Sequence, residues 1–135
     1  MDKNAVGRMS CNPAIGGLGK GHLVKEIDAL GGIMGRAADA CGIQFKMLNK
    51  SKGRAVWSPR AQIDKHQYAR YIQSILFAHT NISIIQDEVV DFCVDGGLVS
   101  SVVLRRGGEL KTNALIVCSG TFLNGLIHIG KEHYS

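Results

Sequence analysis

The segment that decides the fold of this chain reads SCNPAIGGLGKGH and covers residues 10–22. Four of the six residues from Gly16 to Gly21 are glycine, so the main chain can approach a neighbouring group closely and present its N–H groups. A helical pattern follows directly, and helix N-termini favour anions. Lys20 and His22 add donors. The segment is therefore either a phosphate or cofactor contact, or only a tight loop that leads into a helix.

The common phosphate-binding signatures are absent from this segment. Lys20 is not followed by Ser or Thr, as a Walker A loop requires, and Gly17-Leu18-Gly19 has neither a third glycine three positions on nor a preceding strand. Cys11 lies near the start of the segment. A thiol close to a helix N-terminus and to Lys or His can have a depressed pKa and act as a nucleophile, and the alternative is an inert, packed cysteine.

After this segment, apolar residues first recur at the spacing of a helix and later alternate with polar residues as in a strand. Four apolar residues recur at spacings of four, three and four and so share one helical face: Leu23, Ile27, Leu30 and Met34. Gly31-Gly32 predicts a break, after which a second helix runs to about Ala40. Residues 42–48 alternate apolar and polar side chains, which predicts a short half-buried strand.

The next stretch is basic and then helical. Residues 49–60 form a basic loop, and Ser58-Pro59 predicts a helix start with Ser58 as the cap. This helix would run to about His79. Its buried stripe would consist of Ala61, Tyr68, Ile72, Ile75 and Leu76.

The last third of the chain predicts strands. Residues 81–86, 89–94 and 98–105 are rich in β-branched side chains, and glycine turns separate the later ones. Residues 114–118 (ALIVC) form a continuous apolar run, as expected of a central strand buried on both faces.

Composition places the chain among folded globular proteins with a basic balance. Its 135 residues are 45% hydrophobic and 20% charged, with a net charge of +5. Residues 50–70 hold six cations together with Trp57 and Tyr68, which suits RNA phosphates and bases but also an ordinary solvated surface. The four cysteines form no CxxC pair, the histidines show no metal-ligand spacing, and no apolar run is long enough to span a membrane. Free thiols and no export signal favour a reducing, intracellular compartment.

Four stretches of the sequence resemble one known family. They read MSCNPAIGGLGKGHLVKEIDALGG (residues 9–32), GIQFKMLNKSKG (42–53), PRAQIDK (59–65) and CSGTFLNGLIHIG (118–130). From about Val6 to Ser135, and without gaps, the chain resembles the glucose-inhibited division protein A family, also called MnmG. The combination of SCNPAIGG with GKGHL is highly specific for that family.

The resemblance implies an α/β fold class, namely a partial Rossmann-like FAD-binding domain of the glutathione-reductase type with a β-meander. Family members open with a strand, a GxGxxG turn and a helix, and this sequence lacks that first strand and GxGxxG helix. Residues 1–135 are then a fragment of the domain, with loop, helix, strand and helix in 1–80, and the meander and last sheet strand in 81–135. Because such a fragment exposes apolar edges, we expect the chain alone to bind flavin weakly or not at all.

The activity that the resemblance implies is the modification of tRNA at carbon 5 of wobble uridine 34. Family members install a carboxymethylaminomethyl or aminomethyl group there, using FAD, with NADH and methylenetetrahydrofolate as co-substrates. They act together with an MnmE-type GTPase. The parent enzyme is expected to be a cytoplasmic homodimer without a membrane partner. In such enzymes the cofactor carries the hard chemistry, while the protein orients and polarises the reactants.

The resemblance also assigns site residues. Three groups are expected to contact the cofactor: Ser10, Cys11 and Asn12 near the flavin, Val89 at the adenine, and Ser119, Gly120 and Thr121 at the strand end that passes the cofactor. Cys11 matches the family's proposed nucleophile. Lys52, Arg54 and Arg60 are candidates for contact with tRNA or flavin phosphates, and Arg54 stands where the family usually has proline. A second hypothesis is a catalytically inactive remnant that acts as a basic RNA-binding or interaction module.

Overall fold

A computed structural model describes residues 2–120, 123 and 125–134. The chain divides into two compact units, Met1–Gln86 and Asp87–Ser135. The first combines helices with antiparallel strands, and the regular elements described in the second are antiparallel strands. The mixed α/β class is confirmed. The Rossmann-like character of the fold and the interpretation of residues 1–135 as one fragment of an FAD-binding domain stay predictions.

The first unit is a three-stranded antiparallel sheet packed against helices. Its elements in chain order are β1 (Ala14–Gly16), α1 (Gly21–Ala29), α2 (Ile33–Cys41), β2 (Gly42–Leu48), β3 (Ser58–Ile63) and α3 (Lys65–Ala78). The strand order is β1-β3-β2, so β3 is central. The core lies where β3, α2 and α3 meet, and Ile63 and Ala37 are its most buried apolar side chains.

The break between the first two helices is confirmed. Helix α1 ends at Ala29 and α2 begins at Ile33. Gly31 has a φ of +83°, in the left-handed region that glycine adopts at least cost, and its N–H donates to the carbonyl of Asp28. The strand predicted over residues 42–48 is also confirmed.

The helix start predicted at Ser58-Pro59 is wrong. Residues 58–63 form β3, which pairs with β1 on one side and β2 on the other. Pairing on both sides satisfies more backbone groups than a local helix start would, so tertiary context overrides the turn signal. Helix α3 begins after Asp64, whose carboxylate accepts hydrogen bonds from the backbone N–H groups of His66 (2.9 Å) and Gln67 (3.0 Å).

Helix α3 keeps part of its predicted stripe. Tyr68 and Ile72 are buried against the core, as predicted. Ala61 is buried too, but it belongs to β3. The helix ends at Ala78, one residue before the predicted end. None of the helices in the described part of the chain has the length and apolar character that crossing a membrane requires.

The second unit is built from antiparallel strands. The meander is confirmed and consists of β4 (Val89–Asp95), β5 (Leu98–Leu104) and β6 (Gly108–Lys111), and a hairpin follows of β7 (Ile127–Ile129) and β8 (Glu132–Tyr134). The carboxylate of Asp87 accepts from the backbone N–H groups of Arg106 (3.1 Å) and Gly107 (2.9 Å), which ties down the β5–β6 turn. Hydrogen bonds from the N–H of Glu88 and from these two donors lower the pKa of Asp87.

Two predicted strands are wrong. Residues 81–86 and 114–118 have irregular backbone, and Ile116 is 85% exposed rather than buried on both faces. A strand is stable only when a neighbour pairs with its N–H and C=O groups. None of the strands in the described ranges pairs with residues 114–118, so apolar character alone does not make this run a strand.

Candidate functional site

The Cys11 loop, residues 10–13, leads into β1 and is held against β3. The N–H of Ile63 donates to the carbonyl of Pro13 (2.8 Å), and the N–H of Gly17 donates to that of Pro59 (2.8 Å). The end of the loop and the segment that follows it are thus anchored by one strand. Ser10, Cys11 and Asn12 are all exposed.

A side-chain network connects this loop to the sheet. Nη2 of Arg60 donates to Oδ1 of Asn12 (3.1 Å) and to Oε1 of Gln62 (3.3 Å). The structure therefore brings together two predicted site residues that lie 48 positions apart. Both acceptors are bonded by the same nitrogen of the guanidinium, so Arg60 connects the carboxamide of Asn12 to the sheet and favours one orientation of it.

The glycines of residues 16–21 were predicted either to contact a phosphate or cofactor or to form a tight loop before a helix, and the structure distinguishes these roles position by position. Gly16 has a φ of +87°, and a Cβ there would lie 2.4 Å from the carbonyl oxygen of Pro59, so the close approach is to β3 and not to a ligand. Around Gly19, by contrast, no heavy atom of the described residues, apart from Gly19 and its two chain neighbours, lies within 4 Å of the Cβ position. Gly16 therefore serves the tight loop. A ligand could approach the main chain only at the exposed residues 18–20 of this segment.

The two cysteines of the first unit differ in environment. Cys11 is exposed, while Cys41 is 5% exposed. Burial, and secondarily the negative charge of Asp64, raises the pKa of the Cys41 thiol. A thiol with a raised pKa in an apolar site is unreactive, so Cys11 is the better placed nucleophile of this pair. Its catalytic role stays a prediction.

The basic hairpin, residues 42–63, consists of β2, the loop 49–57 and β3. Lys52 ends one 3₁₀ turn of the loop (Lys50–Lys52), and Arg54 begins the next (Arg54–Val56). The guanidinium carbon of Arg54 lies 5.7 Å from the centroid of the Trp57 ring, within cation–π range. Tyr68, the other aromatic residue of the predicted basic stretch, is buried and is not available to a ligand.

A cleft that the sequence did not reveal lies between α1, α2 and the sheet. It has a volume of about 490 Å³ and includes Ala38, Met47 and Ala61 in its apolar lining. Its charged lining residues come from four elements: Lys25, Asp28, Asp39, Lys46 and Arg60. The four elements are separated along the chain and the residues share no motif, so only the folded structure brings all five together.

The remaining predicted cofactor residues belong to the second unit. Val89 begins β4 opposite Leu104 and is 55% exposed. Ser119 is half-buried and Gly120 exposed, both in irregular backbone, and Thr121 lies outside the described residues. Across the described ranges, no cluster of three or more His, Cys, Asp or Glu is arranged to hold a metal ion.

This fold and its exposed polar loop define a segment of a mixed α/β protein, and comparison with known proteins identifies the family. The family model for glucose inhibited division protein A matches residues 1–135. A Chlorobaculum tepidum protein named tRNA uridine 5-carboxymethylaminomethyl modification enzyme MnmG is 56% identical over 133 residues, covering 98% of this chain and 21% of that protein. An Aquifex aeolicus protein of the same name is 54% identical over 132 residues.

Comparison with solved structures points to the same family. Aquifex aeolicus GidA in its form II crystal matches with a TM-score of 0.90 at 53% sequence identity, over 98% of this chain and 22% of that one. The same protein in its form I crystal matches with a TM-score of 0.91. The chain therefore belongs to the glucose inhibited division protein A family, which confirms the resemblance. It spans about a fifth of the length of these relatives.

Proposed function

We propose that this chain is part of an enzyme that modifies carbon 5 of wobble uridine 34 in tRNA, installing a carboxymethylaminomethyl or aminomethyl group. The observation that carries the proposal is the exposed Cys11 loop, held by Arg60 beside the basic hairpin, in a chain whose relatives are named for uridine modification. Because the chain spans only about a fifth of those relatives, we propose that it is inactive by itself.

The residues of the Cys11 loop are suited to contact with FAD. They expose a hydroxyl, a thiol and a carboxamide, and the open space around Gly19 leaves room for a ligand against the main chain. FAD would supply redox chemistry, with NADH and methylenetetrahydrofolate as co-substrates. Further proposed contacts are made by Val89, Ser119, Gly120 and Thr121. The sequence has no GxGxxG turn for the pyrophosphate, so we propose that the chain alone binds FAD weakly or not at all.

The basic residues divide into two proposed roles. Lys52 and Arg54 are exposed and contact tRNA phosphates. Arg60 already bonds Asn12 and Gln62, so it positions the loop that carries Cys11, the candidate nucleophile. An MnmE-type GTPase as partner, a homodimeric parent enzyme and a cytoplasmic location complete the proposal.

A chimera tests this function. The matching segment of the Aquifex aeolicus relative is replaced by this chain, the purified protein is examined for flavin absorbance, and modified uridine in tRNA is measured by mass spectrometry of nucleosides. We expect a yellow protein that modifies tRNA. Cys11→Ser should abolish modification, whereas Cys93→Ser, a change at another exposed cysteine, should not. A colourless, inactive chimera with native far-UV circular dichroism would contradict the proposal.

A second candidate function is an RNA-binding or interaction module without catalysis. The charge of the basic hairpin favours it, since that hairpin contains five cations and no carboxylate. Retention of tRNA by a chimera that binds no flavin would select this function over the first.

A further inference from the structure

The positive charge of this chain is concentrated in the basic hairpin. The whole chain has sixteen Lys and Arg and eleven Asp and Glu. Residues 42–63 contain five of those cations and no acidic residue, so eleven charges of each sign remain elsewhere. The net charge of +5 thus equals the charge of this one hairpin, which makes the hairpin a part of the chain that attracts a polyanion.

Two of the five cations face each other across the strands. Lys46 of β2 pairs directly with Arg60 of β3 in the antiparallel register. Like charges in this position repel each other and destabilise a strand pair. Arg60 is bonded only to neutral acceptors, and within the described residues neither side chain forms an ion pair with a carboxylate. Asp28 and Asp39 line the same cleft as this pair, so Lys46 and Arg60 add to the positive charge of the hairpin but are not assigned an RNA contact.

The loop of the hairpin is pre-organised. Asn49 adopts a left-handed conformation (φ 58°), and its Nδ2 donates to the carbonyl of Val56 (3.3 Å). Nε1 of Trp57 donates to the carbonyl of Lys50 (3.3 Å). The backbone N–H of Trp57 donates to the carbonyl of Arg54 (3.2 Å). These bonds close the neck of the loop, so less conformational entropy is lost when a ligand binds.

The indole of Trp57 lies beside the guanidinium of Arg54 and the backbone of Lys50. Its N–H is committed to the loop, Arg54 lies over the ring, and 41% of the residue remains exposed. An exposed, fixed aromatic ring beside a cation, on a loop that contains further cations, is suited to the stacking of an unpaired nucleobase. A duplex hides the faces of its bases and cannot use such a ring.

We propose that the basic hairpin is a binding surface for unpaired RNA, in which Lys50, Lys52 and Arg54 contact phosphates and Trp57 stacks on a nucleobase. This inference rests on the proposed function in that RNA is the substrate. It goes further by naming the surface, the stacking residue and the single-stranded state of the bound segment.

The intrinsic fluorescence of the chain tests the stacking directly, because Trp57 is its one tryptophan. The chain is titrated with a short uridine-rich RNA oligonucleotide and with a duplex RNA of the same length. We expect the single strand to quench the emission and to bind more tightly than the duplex. Equal binding of duplex, absence of quenching, or equal affinity for anionic phosphatidylserine vesicles would each overturn the proposal.

Variants then separate the contributions, with binding measured by the anisotropy of fluorescein-labelled RNA. Trp57→Ala should weaken binding on the order of tenfold, and Trp57→Phe by less, because one stacked base is lost. A Lys50→Gln, Lys52→Gln, Arg54→Gln triple variant should reduce the slope of log affinity against log salt by about 2. The matched control removes three exposed cations elsewhere, Arg36, Arg106 and Lys111, and should lose far less affinity. An equal loss in the control would show that only net charge matters.

RNA binding by the basic hairpin and the proposed enzyme function can be refuted independently of each other. The titrations use no flavin and no catalysis, so RNA binding by the hairpin can be measured even where the chimera is inactive. In an active chimera, the triple Gln variant should raise the KM for tRNA while the flavin absorbance stays unchanged. Unchanged KM together with unchanged RNA affinity would refute the hairpin surface and leave the enzyme function standing.

Discussion

The side chain of Asp64 connects the central strand of the first sheet to helix α3. Its carboxylate bonds the N–H groups of Gln67 and His66, and these bonds, together with the charges of His66 and Arg70, lower the pKa of Asp64. Its own N–H donates to the carbonyl of Cys41 (2.9 Å). One residue thus ends β3, begins α3 and is bonded to the end of α2.

The cap of α3 should make stability depend on pH. Because the folded pKa of Asp64 lies below its unfolded value of about 3.9, the charged cap stabilises the fold above that value, and this contribution disappears as pH falls through the folded pKa. Asp64→Ala should therefore lower the urea midpoint near neutral pH and lower it less in strong acid. Asp64→Asn, which keeps a capping oxygen, should lose less at neutral pH. Urea titrations followed by circular dichroism check this. An Ala variant as stable as the parent at neutral pH would contradict it.

At the scale of elements, β3 organises the first unit. It lies between β1 and β2, and its last residue, Ile63, is 1% exposed. The same strand provides Arg60 for the Cys11 loop and the carbonyl of Pro59 that Gly17 binds. The core and the candidate site therefore depend on one strand.

Truncation of Ile63 should show how much this strand contributes. Ile63→Ala removes buried methyl groups and should lower the free energy of unfolding by about 2–5 kcal/mol. The matched control is Ile43→Ala in β2, where the side chain is 68% exposed and the loss should be below about 0.5 kcal/mol. Urea denaturation measures both. Similar losses at the two positions would show that β3 is not the centre of the core.

For the whole molecule, the main feature is the apolar area that stays exposed. In the first unit Leu30 is 89% and Leu23 58% exposed, and in the second unit Leu98 is 75% and Ile116 85% exposed. Among the described residues, more large apolar side chains are exposed than are buried, which is uncommon for a protein that acts as a monomer. The relatives are about five times as long as this chain, and we infer that other parts of that longer polypeptide cover these side chains.

The chain alone should therefore bind the apolar dye ANS in its folded state and self-associate. Leu30→Gln should reduce dye binding without lowering the free energy of unfolding, because that side chain is almost fully exposed. The chimera should bind much less dye per molecule than the chain alone. Fluorescence titration and analytical ultracentrifugation measure the effects. A monomeric chain that does not increase the fluorescence of ANS would contradict the inference.

The sequence by itself determined the features that depend on near neighbours. Helical periodicity and Gly31-Gly32 predicted two helices with a break, and glycine turns predicted the meander. Four motif stretches, above all SCNPAIGG with GKGHL in residues 10–23, predicted the family. Each of these signals lies within a few residues or in an uninterrupted motif.

The tertiary structure alone decided the features that depend on distant partners. β3 became a central strand, and not the start of a helix, because strands on both sides pair with it. Gly16 proved to approach Pro59, and Arg60 proved to hold Asn12 across 48 positions. Residues 114–118 remained irregular because an apolar run becomes a strand only when another strand satisfies its backbone. Pairing across the chain is a property of the folded molecule, which no local pattern encodes.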